Sequence, residues 1–156
     1  MQRRVIINGA FGKMGTLACK TIQEHPDFQL VGQLSRMDSL QAAIAETKAD
    51  IIIDLTSADS VYTNALTIID QNAHPIIGTS GLLEDQIHIL RQRCEDHALG
   101  GIIVPNFSIS ALLMMRFAAD AARLLPEVEI IEAHHPQKLD APSGTAIKTA
   151  ELIAAA

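Results

Sequence analysis

The stretch Val5–Gly15, which reads VIINGAFGKMG, decides the fold class of this 156-residue chain. It opens with the apolar run Val5-Ile6-Ile7, which is typical of a strand covered on both faces. A glycine-rich turn over Gly9–Gly15 follows, and apolar residues then recur at helical spacing until Pro26. A buried strand, a glycine turn and a helix form the local arrangement in which dinucleotide-binding fingerprints occur.

Strands and helices are expected to alternate through the first 105 residues. Short β-branched runs, each followed by a longer segment of helical period, predict a parallel sheet with crossover helices. Further strands are expected at 28–34, 51–53, 75–77 and 102–104, with helices at 40–44, from Ser57 or Asp59 onward, and at 84–97. Residues 1–105 are therefore expected to form a Rossmann-like α/β domain with helices on both faces of the sheet.

Residues 106–156 differ in character and predict the start of a second, α+β substrate domain. Ser110–Leu125 is very apolar and rich in Ala and Met, so it is expected to be a helix buried between layers. Glu127–Ala133 has the alternation of a strand, and a polar loop then leads into a last helix. That helix runs to the end of the sequence, so this domain is expected to be incomplete and the chain a fragment.

Composition and charge exclude several classes of partner. Hydrophobic residues make up 48% of the chain, but no apolar run reaches the length of about 18 residues that spans a bilayer. The net charge is −6 and no cluster of Lys and Arg interleaves with aromatic residues, so nucleic acid is not an expected partner. No secretory leader is recognisable, and Cys19 and Cys94 lack metal-binding spacing. A cytoplasmic protein with two reduced thiols is expected.

The glycine turn is expected to bind a diphosphate. Unpaired N–H groups at a helix start favour negative charge, and glycines let the backbone approach it closely. The match to G-x-G-x-x-G is imperfect, because Phe11 occupies the place of the middle glycine and Gly12 follows one position later. A simple glycine-rich turn is the alternative, but the position between a buried strand and a helix favours nucleotide binding.

The end of the second expected strand bears on the choice of cofactor. NAD-binding proteins of this class carry a carboxylate there for the ribose 2′-hydroxyl, whereas an Arg accommodates the 2′-phosphate of NADP. The strand is followed by Ser35 and Arg36. This pair favours NADP(H), or the use of both cofactors, and a solvated Arg36 is the alternative.

The stretch Glu132–Ala146 is the densest polar segment of the chain. Ser143–Thr145 is expected at a helix start, which is a second site for an anion. His134, His135 and Lys138 bring proton-exchanging and positively charged groups close to it. The alternative is a capped helix with incidental basic residues. No metal site is expected, because adjacent histidines do not easily face one ion and no third ligand has suitable spacing.

Four segments together resemble the dihydrodipicolinate reductase family: Gly9–Gly15, Gly78–Gly81, Pro105–Ser108 and Glu132–Ala146. The last is the most specific, since it is close to the family signature E-x-H-H-x-x-K-x-D-A-P-S-G-T-A. The order and spacing of the segments cover essentially the whole chain. The resemblance implies reduction of 4-hydroxy-tetrahydrodipicolinate with NADPH or NADH, in lysine and diaminopimelate biosynthesis.

The resemblance also implies roles for individual residues. His134 is the implied catalytic proton donor and acceptor, and Lys138 the second proton donor. His135, Gly144 and Thr145 are the implied ligands of a small, heterocyclic dicarboxylate substrate. The implied cofactor-binding residues are Gly9, Ala10, Phe11, Gly12, Lys13, Met14, Ser35, Arg36, Gly78, Thr79, Ser80, Val104, Pro105, Asn106 and Phe107. Family members often have Glu at position 35, continue well beyond this length and form homotetramers.

Two other functional classes remain open at this stage. One is a different NAD(P)-dependent dehydrogenase with the same architecture. A version that acts on aldehydes through a thioester would need a reactive Cys beside a His, and Cys94 lies mid-helix without such a partner. The other is a non-catalytic nucleotide-binding module. The complete His-His-x-x-Lys set argues against a non-catalytic module, whereas the incomplete second domain argues for one.

Overall fold

The chain divides into two units, Met1–Val104 and Pro105–Ala156. The structure is a computed structural model that describes residues 2–125, 127–134, 136 and 141–156. The first unit contains five strands and four helices among these residues. In chain order they are β1 (Arg3–Asn8), α1 (Lys13–Glu24), β2 (Phe28–Leu34), α2 (Leu40–Thr47), β3 (Ile51–Asp54), α3 (Val61–Asp70), β4 (His74–Ile77), α4 (Glu84–Asp96) and β5 (Ile102–Ile103).

The described strands form one parallel sheet in the order β2-β1-β3-β4-β5. The chain leaves β1 toward one edge to make β2, and then returns to the other side of β1 to make β3. The strand order therefore reverses between β1 and β3. In open α/β sheets a ligand binds at such a reversal, outside the carboxyl ends of the strands.

Helices cover both faces of the sheet, as predicted. On one face α1 packs its buried Cys19 and Ile22 against Val5 and Ile7 of β1. The other face carries α2, α3 and α4, whose buried residues include Ile44, Ile68 and Leu90, around Ile6 and Ile52. Because β1 lies between two packed layers, its apolar residues are 0–1% exposed. The Rossmann-like α/β fold predicted from the sequence is confirmed.

Some predicted boundaries are wrong. Helix α3 does not begin at Ser57 or Asp59 but at Val61. The carbonyl of Ser57 accepts the N–H groups of both Ser60 and Val61, each at 3.1 Å, so a tight turn precedes the helix. Helix α2 continues beyond the expected residue 44 to Thr47. A left-handed conformation at Lys48, with φ +52°, then ends it.

In the second unit, the described helices are α5 (Ile109–Ala122) and α6 (Gly144–Ala154), which pack against each other. Ser108 caps α5 by accepting the N–H of Ala111, and Ser143 caps α6 by accepting the N–H of Ala146 at 3.1 Å. A side-chain oxygen at this position satisfies one of the N–H groups that a helix start leaves unpaired. Both helix starts are therefore encoded locally.

Two expectations for the second unit are wrong. The predicted strand at 127–133 is not formed, because an extended segment becomes a strand only through a hydrogen-bonded partner and no described residue provides one. The predicted burial of the first helix between layers also fails. Of the described residues in α5 only Met115 is buried, whereas Ile109 is 75% and Phe117 is 61% exposed.

Candidate functional site

The glycine loop after β1 is shaped by contacts within the protein. Gly9 has a φ of +85°, and a Cβ there would collide with the carbonyl of Leu55. A Cβ on Gly15 would collide with the carbonyl of Gly9, so α1 approaches the loop more closely than any side chain permits. The fold itself therefore requires glycine at both ends of the loop.

Gly12 has no such internal role. It is the N-cap of α1, no side chain caps it, and a Cβ would meet only the carbonyl of Gly9 at an ordinary 3.6 Å. The first N–H groups of a helix have no partner within it. Gly12, Lys13 and Met14 are exposed residues. The N–H of Gly12 donates to the carbonyl of Gly9 at 3.3 Å, which leaves the N–H groups of Lys13 and Met14 as those that an anion at this helix start would meet. This cradle, which a side chain at Gly12 would partly fill, fits a dinucleotide diphosphate.

The remaining loop residues divide into a buried and an exposed group. Ala10 is 2% exposed and anchors the loop, because its N–H and that of Gly9 both donate to the carbonyl of Leu34, at 3.0 Å. Phe11 is 69% and Met14 40% exposed. The carbonyl of Leu34 thus joins the glycine loop to the end of β2.

The turn after β2 contains a carboxylate that sequence reasoning missed. Asp38 Oδ2 accepts the N–H of Ser35 at 2.8 Å and its hydroxyl at 2.7 Å. The backbone N–H and the hydroxyl of Ser35 hold the pKa of the Asp38 carboxyl below its usual range. Arg36 lies exposed in the same turn. Ser35 itself has no carboxylate, but the carboxylate of Asp38, three residues further along the chain, lies beside it.

A buried polar network joins the carboxyl ends of three strands. Asp54 is 0% exposed at the end of β3 and accepts the side-chain amide of Asn8, from the end of β1, at 2.9 Å. It also accepts the amide of Asn64 at 2.9 Å and the hydroxyls of Thr56 at 2.8 Å and Thr79 at 2.7 Å. These donors are neutral, and together they satisfy a carboxylate in a place where an unpaired charge would be costly.

The network fixes the orientation of the Thr79 side chain. This network was not predicted from the sequence. The Thr79 hydroxyl donates to Asp54 and accepts the N–H of Thr56 at 2.8 Å, so both are bonds within the protein. The N–H of Gly78 donates to the carbonyl of Asp54 at 2.9 Å, while Ser80 is exposed. The sequence does indicate that Asn8 and Asp54 lie near each other, because each ends a strand and the carboxyl ends of parallel strands meet at one edge of the sheet.

In the second unit, Glu132 connects the expected catalytic segment to the start of α6. Its Oε1 accepts the N–H of Ser143 at 2.9 Å, and its Oε2 lies 3.8 Å from Nδ1 of the half-exposed His134. The carboxylate thus lies between the imidazole and the helix start. His135 and Lys138, the other basic residues expected here, lie outside the described residues.

The start of α6 has an open side. A Cβ on Gly144 would meet nothing within 4 Å, and Thr145 Oγ1 accepts the side-chain amide of Asn106 at 3.0 Å. Of the other residues expected to bind cofactor near here, Phe107 is 46% exposed, and the boundary between the units falls between Val104 and Pro105. The second unit therefore brings Asn106 together with Thr145, and Glu132 with His134.

The two cysteines bear on what the site can do. Burial raises the pKa of the Cys94 thiol, and since the thiolate is the nucleophile, this cysteine is poorly suited to thioester chemistry. Burial raises the pKa of the Cys19 thiol as well.

In the part of the chain that the structure describes, no three His, Cys, Asp or Glu side chains group as metal ligands. No helix there is both long and apolar enough to cross a membrane.

A parallel sheet whose strand order reverses beside a glycine loop defines the Rossmann-like class of nucleotide-binding proteins. Residues 3–107 match the family model described as dihydrodipicolinate reductase, N-terminus, and residues 110–156 match the corresponding C-terminus model. The chain belongs to the dihydrodipicolinate reductase family.

Curated relatives agree with this assignment. The 4-hydroxy-tetrahydrodipicolinate reductase of Legionella pneumophila (strain Paris) is 60% identical over 156 residues, which are 100% of this chain and 64% of that protein. The enzyme of the same name from Coxiella burnetii (strain Dugway 5J108-111) is 50% identical over 153 residues, covering 98% of this chain and 64% of the relative. The chain thus spans 64% of the length of these relatives.

Solved structures share the fold. The dipicolinate-bound dihydrodipicolinate reductase from Paenisporosarcina sp. TG-14 superposes with a TM-score of 0.84 at 39% identity, over 99% of this chain and 66% of that one. GenD2 from gentamicin A biosynthesis, in complex with NAD, gives a TM-score of 0.64 at 15% identity, over 76% of this chain and 39% of its own. The second likeness concerns the fold alone.

Proposed function

We propose that this chain is the cofactor-binding part, and much of the substrate-binding part, of a 4-hydroxy-tetrahydrodipicolinate reductase. The reaction reduces 4-hydroxy-tetrahydrodipicolinate to tetrahydrodipicolinate, with loss of water, in lysine and diaminopimelate biosynthesis. The observation that carries the proposal is the uncapped helix start at Gly12, at the strand reversal of a chain that belongs to this family. Its counterpart is the open helix start at Gly144.

The cofactor is NADPH or NADH, which supplies a hydride from C4 of its nicotinamide ring. The loop Gly9–Met14 would hold its diphosphate, with the backbone N–H groups of Lys13 and Met14 as donors at a helix start that stabilises negative charge. Ser35 and Arg36 contact the adenosine ribose, and the guanidinium of Arg36 favours the 2′-phosphate of NADPH. The nicotinamide side is lined by Gly78, Thr79, Ser80, Val104, Pro105, Asn106 and Phe107.

Because the Thr79 hydroxyl donates to Asp54 and accepts from Thr56, its proton is already used, and it can contact the cofactor only as an acceptor or through the main chain. The buried network keeps the segment after β4 in one arrangement. Tight positioning of this kind matters in hydride transfer, since small errors in the geometry of reacting groups slow the reaction strongly.

The substrate is a small heterocyclic dicarboxylate. One carboxylate binds the N–H groups at Gly144 and Thr145, where nothing in the protein fills the space beside Gly144. The Asn106 amide orients the Thr145 hydroxyl at the same place. His135 and Lys138 supply positive charge for the carboxylates. That the Paenisporosarcina relative is dipicolinate-bound supports a dicarboxylate in this family.

His134 is the proposed acid. The hydride reaches the ring carbon that has lost water, and the adjacent position takes a proton from the His134 imidazole. Nδ1 of this imidazole lies 3.8 Å from Glu132 Oε2, so we assign the contact with the substrate to Nε2. Lys138 serves as the second proton donor. One positioned acid contributes about 10²- to 10⁴-fold in rate.

For the whole protein we further propose a cytoplasmic homotetramer without nucleic-acid or membrane partners. The family resemblance supports the tetramer. The net charge of −6 and the absence of a basic, aromatic-rich cluster from the sequence support the absence of a nucleic-acid partner. Two cysteines without a disulfide pattern support a reducing compartment.

The proposal is tested by following oxidation of NADPH and NADH with 4-hydroxy-tetrahydrodipicolinate supplied by a coupled synthase. Both this chain and a longer version that includes the remaining third of the relatives' length are assayed. We expect His134→Gln to lower kcat/KM of the active form by about 10²- to 10⁴-fold without changing the Kd for NADPH. His88→Gln, an exposed histidine on α4, is the matched control.

Lys138→Ala is expected to reduce turnover in the same way, with Lys20→Ala as its exposed control. Loss of NADPH affinity in parallel with turnover would contradict the assigned roles. No substrate-dependent oxidation by either version would contradict the proposed function as a whole.

A further inference from the structure

The turn that follows β2 fixes one carboxylate on the first residue beyond the strand. Asp38 Oδ2 receives two hydrogen bonds from Ser35, from its N–H at 2.8 Å and from its hydroxyl at 2.7 Å. The Asp38 N–H returns a bond to the Ser35 carbonyl at 3.2 Å, and the N–H of Met37 donates to the Ser35 hydroxyl at 3.2 Å. The Asp38 side chain is exposed, but these hydrogen bonds orient it toward residue 35.

This turn adjoins the proposed diphosphate cradle. The carbonyl of Leu34, the last residue of β2, accepts the N–H groups of Gly9 and Ala10, both at 3.0 Å. The residue after Leu34 therefore begins directly beside the glycine loop. In dinucleotide-binding folds, the group at this point of the second strand meets the adenosine ribose and decides between a 2′-hydroxyl and a 2′-phosphate.

The charges in the turn oppose each other. The hydrogen bonds from Ser35 keep the pKa of the Asp38 carboxyl low, so it is ionised at neutral pH. A carboxylate accepts hydrogen bonds from the ribose hydroxyls but repels a phosphate carrying nearly two negative charges. Arg36, two residues away in the same turn, has the reverse preference.

We infer that Asp38 is a specificity-determining residue, whose carboxylate retains the use of NADH in a turn where Arg36 favours NADPH. The inference rests on the proposed dinucleotide binding and deepens it. Asp38 supplies the acidic function although position 35 itself is a serine. The prediction from Arg36 alone, a preference for NADP(H), becomes a balance between two opposing side chains.

Binding of two cofactor fragments tests this without any turnover. The Kd values of ADP-ribose and of 2′-phospho-ADP-ribose are measured by calorimetry on the wild-type chain, on Asp38→Asn and on Asp27→Asn. Asn at position 38 keeps the size of the side chain and an oxygen acceptor for Ser35, but removes the charge. Asp27, whose side chain is 82% exposed before the start of β2, is the matched control for a lost surface carboxylate.

We expect Asp38→Asn to weaken ADP-ribose and to strengthen 2′-phospho-ADP-ribose, so that the ratio of their Kd values shifts toward the phosphorylated fragment by about tenfold or more. Asp27→Asn should leave the ratio unchanged, and thermal unfolding should show both variants folded. An unchanged ratio in Asp38→Asn, or an equal shift in Asp27→Asn, would overturn the role of Asp38 alone. If the wild-type chain binds neither fragment, the proposed function fails and the inference fails with it.

Discussion

Gly12 and Gly144 differ from the other glycines near the candidate sites, because each stands at a helix start with room beside its α-carbon. Gly9 and Gly15 are required by close backbone contacts within the protein. At Gly12 and Gly144 the protein itself has room for a side chain, so packing does not require glycine. A ligand bound to the neighbouring helix N–H groups would require it, because a side chain would occupy the ligand's space. At the scale of the residue, these two open positions are where we expect the anions of cofactor and substrate.

The two kinds of glycine in the loop should respond differently to alanine. Gly15→Ala places a Cβ against the carbonyl of Gly9, and we expect it to lower the free energy of unfolding by about 1–3 kcal/mol. Gly12→Ala should cost about 1 kcal/mol or less, because its Cβ has room, yet it should weaken NADPH binding clearly. Chemical denaturation and calorimetry measure the two effects. Equal losses of stability in both variants would show that Gly12 is also a packing glycine.

At the scale of elements, Asp54 holds the carboxyl edge of the sheet together. Its carboxylate receives side-chain hydrogen bonds from residues at the ends of β1 and β4, through Asn8 and Thr79, and from Asn64 on α3. Buried polar networks in which every member is satisfied make a structure more rigid, because each alternative arrangement leaves a group unpaired. The loops that are proposed to meet the cofactor are thereby fixed before it binds.

Asp54→Asn should break this network. An amide has one acceptor oxygen in place of two, and its NH₂ group would face donors, so we expect a loss of about 2–4 kcal/mol in the free energy of unfolding. Asp59→Asn, an exposed position just before α3, should change it by about 0.5 kcal/mol or less. Urea denaturation followed by circular dichroism provides the comparison. A similar, small change in both variants would mean that the Asp54 carboxylate is not the centre of the network.

At the scale of the whole molecule, the sequence predicted the parts that depend on local pattern. The apolar run of β1, the glycine turn and the spacing of α1 specify a strand, loop and helix without reference to the rest of the chain. For the network of Asn8, Asp54 and Thr79, the sequence shows only that Asn8 and Asp54 each end a strand. Which side chains contact each other depends on the register of strands far apart in sequence, which local pattern does not give. The Asp38–Ser35 contact is local, but it depends on a turn that brings residue 38 back to residue 35, and the pattern of the strand does not predict that turn.

In the second unit, predictions from local pattern and composition were wrong. Residues 127–133 alternate as a strand would, but strand formation needs a partner, which local pattern does not supply. The apolar composition of α5 likewise predicted burial, whereas Phe117 is largely exposed. Composition indicates which surfaces favour burial, and only tertiary contacts decide which of them are buried.

A crystal structure of the chain with NADPH and dipicolinate would show whether the two open helix starts hold the anionic groups of cofactor and substrate. We expect the NADPH diphosphate within hydrogen-bond distance of the N–H groups of Lys13 and Met14, and a dipicolinate carboxylate within that distance of the N–H groups of Gly144 and Thr145. A diphosphate bound away from Gly12, or a carboxylate bound away from Gly144, would contradict this expectation.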